Sequence, residues 1–582
     1  MSKAAEETTA PLPFPDDFTE SEFDIAVKVV GRIGEDLSTK GDSSFYKSKR
    51  CRVLRKAMVP LINDLKSRFP SDPDKYHRAK RLKTQRKAET QRQRAKDMEY
   101  INKTKLRAER LAALEKLQQQ GSNVPMIPDG PANASEGATL RALTDEVSPS
   151  TPHNDKQEEQ QQQQRLNRDR SCYTCKVRYK ELHEFYDQLC PKCASLNEVK
   201  RDQSADLAGR VCLVTGARVK IGFQVALKLL RAGATVIATT RFPNEAAVRY
   251  SREKDFSVWH DRLSIMAMDF RNLGGVLALA AYINAHFERL DILINNACQT
   301  IRRPPAYYAH LMKIEKCPVK QLGDDKRLHE MLSKHEAFMA TQPSMSNMLK
   351  DSSDVTELLA EAPHSGIDAS AGLKMPKSDA PTSSVSMMSQ LPLLDSDAKH
   401  DSELFPAQTF DVNRQQLDLR TSNSWLLKLD EVELPELVEV FSINAIAPFV
   451  LNSKLKPMLL RSPAQDKYVI NVSAMEGKFY RYKTSNHPHT NMAKAALNML
   501  TRTSSEDYAK SGIYMNSVDT GWINDENPLE RAAATAAKHN FQTPIDEVDA
   551  AARILDPVFS GVNDPSQRIF GKFMKDYRES PW

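Results

Sequence analysis

Four cysteines carry the most specific chemistry in this 582-residue chain. Cys172-Tyr-Thr-Cys175 and Cys190-Pro-Lys-Cys193 are separated by fourteen residues. A C-x-x-C turn presents two thiolates to one side of a cation, and two such turns complete the tetrahedral sulfur shell that Zn²⁺ prefers. Lys176, Arg178 and Lys192 stand nearby and offset the charge of a zinc–thiolate centre. A disulfide and a thioredoxin-like redox pair are the other readings. The doubling of the motif, without a thioredoxin-type context, favours the metal. With four cysteine ligands there is no open coordination position, so the expected role of the zinc is structural.

A second constellation begins at Arg210-Val-Cys-Leu-Val-Thr-Gly216, which reads as a buried parallel strand ending in a turn. Ala217-Arg-Val-Lys-Ile-Gly222 follows, then helical periodicity from Phe223 to Ala232. Strand, glycine turn and helix N-terminus make an anion site, because free backbone N–H groups and the helix dipole face a pyrophosphate there. The next strand, Ala234 to Arg241, ends in Thr240-Arg241. An acid at that end would bind a ribose 2′-hydroxyl and repel a 2′-phosphate. Arg241, with Arg218 and Lys220 in the first loop, favours the phosphate instead. NADP(H) is therefore the expected cofactor, with NAD(H) the weaker alternative.

Further strand ends fall in order. Leu263-Ser-Ile-Met-Ala-Met-Asp269-Phe270 reads as a third strand, and Leu290-Asp-Ile-Leu-Ile-Asn295-Asn296-Ala297 as a fourth. With TGARVKIG at 215–222, these strings resemble the short-chain dehydrogenase/reductase superfamily over about 207–305 and 425–582. The resemblance implies that Gly216, Arg218, Lys220, Ile221, Gly222, Arg241, Asp269, Phe270, Asn295, Asn296, Ala297 and Lys494 hold the dinucleotide, Asp269 by meeting the adenine. Lys220 replaces the usual middle glycine, and Cys298 the usual glycine after NNA.

The resemblance also implies an Asn–Ser–Tyr–Lys set for reducing a carbonyl or oxidising an alcohol. Asn444 in Val440–Phe449 fits the Asn, Ser473 in Tyr468–Ala474 the Ser, and Lys494 the Lys. The tyrosine position holds Thr490. A threonine hydroxyl is far less acidic than a phenol, whose unperturbed pKa of about 10 already needs activation. Tyr480, Tyr482 and His489 are the nearby candidates to carry the proton. The catalytic set is thus Asn444, Ser473, Thr490 and Lys494, and the substrate a small carbonyl or alcohol. The combination of four-cysteine motif, TGARVKIG, NNACQT and HTNMAK resembles a distinct subgroup of the superfamily. A catalytically impaired NADP(H)-binding sensor or scaffold is the second reading.

The elements that must position these residues are α/β: a Rossmann-type doubly wound parallel sheet, closed near Gly571–Tyr577. A small four-cysteine motif at 169–200 precedes it and should pack on it. Before that come a tail and small helical unit (1–74), a basic helix (75–118) and a linker with a glutamine run (119–168). The N-terminal region is expected to be partly disordered. Between Lys75 and Lys116, fifteen Lys and Arg face five acids, whereas the whole chain carries a net charge of only +6. A solvated single helix is one reading of this stretch. An arm contacting nucleic acid or the ribosome is the other, since basic runs neutralise phosphates without a fold.

An insertion at 306–424 follows the NNA strand, where substrates sit; its start at Arg302-Arg303 and Tyr307-Tyr308 looks ordered and its middle disordered. A mean hydropathy of −0.54 fits a globular part diluted by polar segments. Residues 276–283 read as a buried helix, and no run is expected to cross a membrane. Cysteine usage without a signal peptide suggests a reducing compartment, cytoplasmic or nuclear. Self-association, common among relatives, is expected as well.

Overall fold

The computed structural model describes residues 19–40, 52–68, 73–119, 165–322, 325–341, 384–398, 403–407, 409–411, 415–480, 482–539 and 542–582. The N-terminal tail, nearly all of the linker and the middle of the insertion lie outside these residues. The chain divides into a unit of residues 1–95 and a unit of residues 96–582.

In the first unit, helices span Glu20–Lys40 and Arg52–Arg68, and a third, Pro73–Lys103, begins there. Their apolar residues recur at helical spacing, yet Phe23, Ile25, Val27 and Val53 are exposed while Ile33 is buried. Arg78, Lys80, Arg81, Lys83, Arg86, Lys87, Arg92 and Arg94 are all exposed.

In the second unit, β1 (Arg165–Ser171) and β2 (Arg178–Glu181) form an antiparallel ribbon around the first cysteine turn. The fold thus resumes at Arg165, a few residues before the expected boundary. β3 (Val211–Val214), β4 (Thr235–Thr240), β5 (Leu263–Ala267), β6 (Ile292–Asn295), β7 (Lys467–Ser473), β8 (Ile513–Asp519), β9 (Phe573–Lys575) and β10 (Arg578–Ser580) form one eight-stranded sheet. Its order is β10-β9-β8-β7-β6-β3-β4-β5, parallel except for the β9–β10 hairpin. The chain starts in the middle, winds one way through β4 and β5, then returns to β6 on the other side. A doubly wound sheet opens a crevice where that order reverses, between β3 and β6 at their carboxyl ends. The strands read as unbroken apolar runs because helices cover both faces. One core joins Val214, Ile265 and Ile294 to the helix Glu547–Asn563, and the other joins Leu213, Met266 and Val469 to the helices Leu273–His286 and Ala447–Arg461.

The run Leu434–Arg461 is long and apolar enough by composition to cross a membrane, contrary to the sequence expectation. Its Val440, Asn444, Leu451, Leu455 and Met458 are buried in this unit, the position of a core helix. The insertion is partly architectural. Its helix Lys326–Ala340 lies on β5, with Met331 and Leu332 in one core and Phe338 in the other. His335 Nδ1 accepts the Ala267 N–H at 3.3 Å, so the otherwise open sheet edge is covered.

Candidate active site and metal centre

The four cysteine sulfurs lie within 4.8 Å of one another. Cys175 and Cys190 Sγ are 3.6 Å apart. Thiolates about 2.3 Å from a zinc ion in a tetrahedron stand about 3.8 Å apart, whereas a disulfide needs about 2.05 Å. The arrangement therefore fits a tetrahedral cation and not a disulfide. The Val177 N–H draws the Cys175 thiol down to about 7, while burial raises Cys190 and Cys193. A coordinated cation would deprotonate all four.

The module is fixed to the sheet domain through charge. Arg201 donates both guanidinium arms to Asp546 at 2.6 and 2.8 Å, Arg553 donates to Asn197 at 2.7 Å, and Tyr186 donates to Asp549 at 2.5 Å. From the other side it receives the end of the basic segment, broken at Thr104 into a second helix, Lys105–Gln119. Leu106 joins the module's core, Arg107 pairs with Asp187 at 3.6 Å, and Arg110 donates to the Thr543 and Ile545 carbonyls. A wholly solvated helix was one expectation for 75–118; its C-terminal third is a docking element.

Above β3 and β6 lies a cleft of about 780 Å³. Its floor is the glycine turn. Gly216 has φ 67°, and a Cβ there would stand 2.9 Å from Ala297 Cα; a Cβ at Gly222 would overlap the Gly216 carbonyl oxygen. Both strand ends are therefore pressed together with room only for hydrogen. Asn296 Nδ2 donates to the Thr215 and Gly216 carbonyls, and Thr215 Oγ1 accepts the N–H groups of Asn296 and Ala297. Lys220, replacing a glycine, has φ 51°, a left-handed conformation that non-glycine residues take at a cost. It opens the helix Lys220–Arg231, whose N-terminus faces the cleft together with Ile221 and Gly222.

At the end of β4, Arg241 reaches the cleft. Its Nη2 donates to Tyr308 Oη at 2.7 Å, and the guanidinium lies 4.5 Å over the Tyr308 ring. Burial opposes its charge but Tyr308 favours it, and the balance raises its pKa. Neighbouring cations are paired with carboxylates: Arg218 with Glu245 at 2.8 Å, Arg303 with Asp418, Arg271 with Asp269 at 2.7 Å. Among the described residues Arg241 has no carboxylate at ion-pair distance. Burial works against the Asp269 carboxylate, but the Arg271 fork more than offsets it and holds its pKa down. Asp269, Phe270 and Ala297 line the cleft. Asn295 does not: its Nδ2 donates inward to Asn452 and Asn471 at 2.7 and 2.8 Å.

On the other side of the crevice, Asn444 sits in a π turn, Ser442–Ile446, a distortion frequent at functional sites. Its carboxamide clamps Gln299, accepting the N–H at 3.1 Å and donating to the carbonyl at 3.0 Å. Ser473 lines the cleft, but its hydroxyl donates to Asn498 at 2.7 Å. Thr490 and Lys494 lie four residues apart on the helix Pro488–Ala509 and both line the cleft. Lys494 Nζ donates to the Val472 carbonyl at 2.9 Å; among the described residues Thr490 Oγ1 has no hydrogen-bond partner. None of the three candidate proton carriers lines the cleft. Tyr480 and Tyr482 are exposed, and His489 is buried 3.5 Å from Glu436.

Several cleft residues escaped the sequence reading. Tyr307 and Tyr308 stood out as ordered, with nothing to tie them to Arg241. Tyr173, Thr174 and Lys176 of the cysteine turn also line the cleft, as does Trp425, stacked 3.8 Å from His487. The insertion is pinned at its end by Arg302, which donates to both Asp397 oxygens at 2.6 Å and to Glu439 at 3.1 Å.

The short chain dehydrogenase family profile matches residues 210–317, and the Enoyl-(Acyl carrier protein) reductase profile matches residues 425–555. The two matches leave most of the insertion between them, 318–424, and take in both sides of the cleft. The sheet domain, through these two segments, belongs to the short-chain dehydrogenase/reductase superfamily. The chain is 30% identical over 408 residues to an uncharacterized protein of Acanthamoeba polyphaga mimivirus, covering 67% of this chain and 71% of that one. It is 40% identical over 91 residues to (-)-isopiperitenone reductase of Mentha piperita, 15% of this chain and 28% of that enzyme. An NADPH-bound carbonyl reductase from chicken fatty liver aligns with a TM-score of 0.35 at 18% identity, over 65% of this chain and all of that one.

Proposed function

We propose that the protein is an NADP(H)-dependent oxidoreductase acting on a small carbonyl or alcohol, with a structural zinc in its four-cysteine module. One observation supports the cofactor choice above the rest: Arg241, at the end of β4, is held by the Tyr308 phenol and, among the described residues, has no carboxylate partner. A partly buried cation in that state favours a dianionic 2′-phosphate, which pairs with a guanidinium in two directions. Gly216, Gly222 and the N-terminus at Lys220 would receive the pyrophosphate, and Asp269, Phe270, Asn296 and Ala297 would border the adenosine and central parts. When bound, the dinucleotide supplies or accepts the hydride. Lys494 would hold the ribose hydroxyls nearest the reacting ring, and Asn444 keeps the Gln299 backbone at the floor.

The proton must come from elsewhere than a tyrosine at position 490. Thr490 stands where members of this superfamily carry the phenol, which marks an atypical subgroup. That same feature favours a second reading, an NADP(H)-binding sensor or scaffold without turnover. NADPH oxidation across a panel of carbonyl compounds, with Lys494→Ala as control, separates them. Turnover lost in the variant supports the enzyme; tight NADPH binding without turnover on any compound overturns it. Self-association belongs to the same proposal: Phe449, Met492 and Met499 stand exposed on the helices Ala447–Arg461 and Pro488–Ala509.

A further inference from the structure

The first cysteine turn reaches into the cleft. Tyr173, between Cys172 and Cys175, accepts the Trp522 N–H on its hydroxyl at 2.9 Å. A Cβ at Gly521, where φ is 81°, would lie 3.7 Å from the same oxygen. This loop leaves β8 at Asp519, whose Oδ1 accepts the Gly521 N–H at 2.7 Å. Asp519 stands in register beside Ser473 of β7. The loop therefore lies on the Ser473 and Lys494 side of the crevice, across the switch point from Arg241. A dinucleotide laid over a doubly wound sheet spans that switch point, so its nicotinamide half comes to this side.

The turn that carries Tyr173 is tied back through the Tyr173 N–H, which donates to the Gln188 carbonyl at 2.8 Å, and otherwise closes on itself around the cysteines. Cys172 N–H donates to the Val177 carbonyl and Lys176 N–H to the Cys172 carbonyl, closing a short loop at the tip of a two-stranded ribbon. Such a ribbon is marginal alone, and units below about 40 residues usually need a metal or disulfide. The rest of the module is fixed by Arg201, Tyr186 and Asn197, which do not depend on a cation. Loss of the cation would loosen the side-chain end of the turn, Tyr173 included, without detaching the module.

We propose that the four-cysteine module positions the reaction end of the cleft. Tyr173, fixed by the metal-bound turn, holds the Trp522 backbone, and metal loading thereby sets how the nicotinamide half of the cofactor is received. This rests on the NADP(H) reading above. Tyr173 is a positioning residue, acting through the 519–523 backbone.

The test is calorimetric titration of the full chain with NADPH and with 2′,5′-ADP, which carries only the adenosine half and its phosphate. Tyr173→Phe keeps the ring and removes the acceptor; NADPH should bind about tenfold more weakly while 2′,5′-ADP stays within about twofold. Stripping the metal with a chelator under reducing conditions should give the same split, reversed by adding Zn²⁺ back. Unchanged NADPH affinity in both preparations, or equal weakening of both ligands, overturns the inference. If the unmodified protein binds 2′,5′-ADP and gains nothing from the nicotinamide half, the inference falls while the NADP(H) corner stands. Binding of neither ligand overturns both.

Discussion

Arg241 donates to the Tyr308 hydroxyl at 2.7 Å and lies 4.5 Å over its ring, so a strand-end cation is oriented by a residue of the insertion. The helix that carries Tyr308, Pro305–Glu315, thus lines the β4 side of the cleft, the corner proposed for the cofactor. Arg241→Ala should weaken NADPH by about 1.5–3 kcal/mol, the worth of hydrogen bonds to a charged group, and leave NADH affinity unchanged. Tyr308→Phe keeps the stacking and should cost under about 1 kcal/mol. Fluorescence titration with both cofactors checks both values.

Thr490 offers a gain-of-function experiment. Thr490→Tyr places a phenol four residues before Lys494 on one helix face, facing the cleft. If proton delivery limits turnover, carbonyl reduction should rise about 100-fold, the usual scale for a positioned general acid. Single-turnover NADPH oxidation is the readout, and the double variant with Lys494→Ala should lose the gain.

Metal analysis of reduced, purified protein should find one zinc per chain. Cys193→Ser should abolish it and loosen the first cysteine turn, because a structural metal contributes its binding free energy to the fold of the segment it ties. Amide exchange should then accelerate most over 171–177, and less over 191–202, which Asn197 and Arg201 hold to the sheet domain.

Two buried groups give stability an opposed pH dependence. Burial pushes the Glu315 carboxyl up from 4.5 to about 7 although it accepts the Asn244 and Glu245 N–H groups. The folded protein holds that proton more tightly than the unfolded chain. Glu315 therefore contributes stability below pH 4.5 that is lost as pH rises through about 7. Burial lowers His335 from 6.5 to about 4, so its contribution is present above pH 6.5 and lost as pH falls through about 4. Glu315→Gln should raise stability at pH 8 by up to about 3 kcal/mol and steepen the acid loss. Urea unfolding at pH 5 and pH 8 distinguishes the two groups.

The exposed cations of residues 78–94 make a nucleic-acid test possible without disturbing the metal module. Deleting all of 75–116 would remove Leu106, Arg107 and Arg110 as well. Replacing Arg81, Lys83, Arg86 and Lys87 by glutamine should weaken RNA or DNA binding. The slope of log K against log salt should fall in magnitude by about 0.7–0.9 for each phosphate that is no longer neutralised. Binding in the unmodified protein that does not weaken with salt refutes a phosphate-contacting arm.

By itself the sequence determined the doubly wound sheet, the four-cysteine shell and the glycine turn. Each is a local pattern: apolar strand runs bounded by turns, ligands at fixed spacing, glycines where a strand must meet a helix. It also marked Thr490 and Lys220 as departures, and the left-handed backbone at Lys220 shows why glycine is usual there. Only the tertiary structure decided which side chains face the cleft. Asn295 turns inward to Asn452 and Asn471, Ser473 spends its hydroxyl on Asn498, and the nearby Tyr480, Tyr482 and His489 lie elsewhere. Tyr308 reaches Arg241, and Tyr173 reaches Trp522 across 349 positions of sequence. Pairings between distant segments depend on how helices and sheet pack, and no spacing along the chain encodes them.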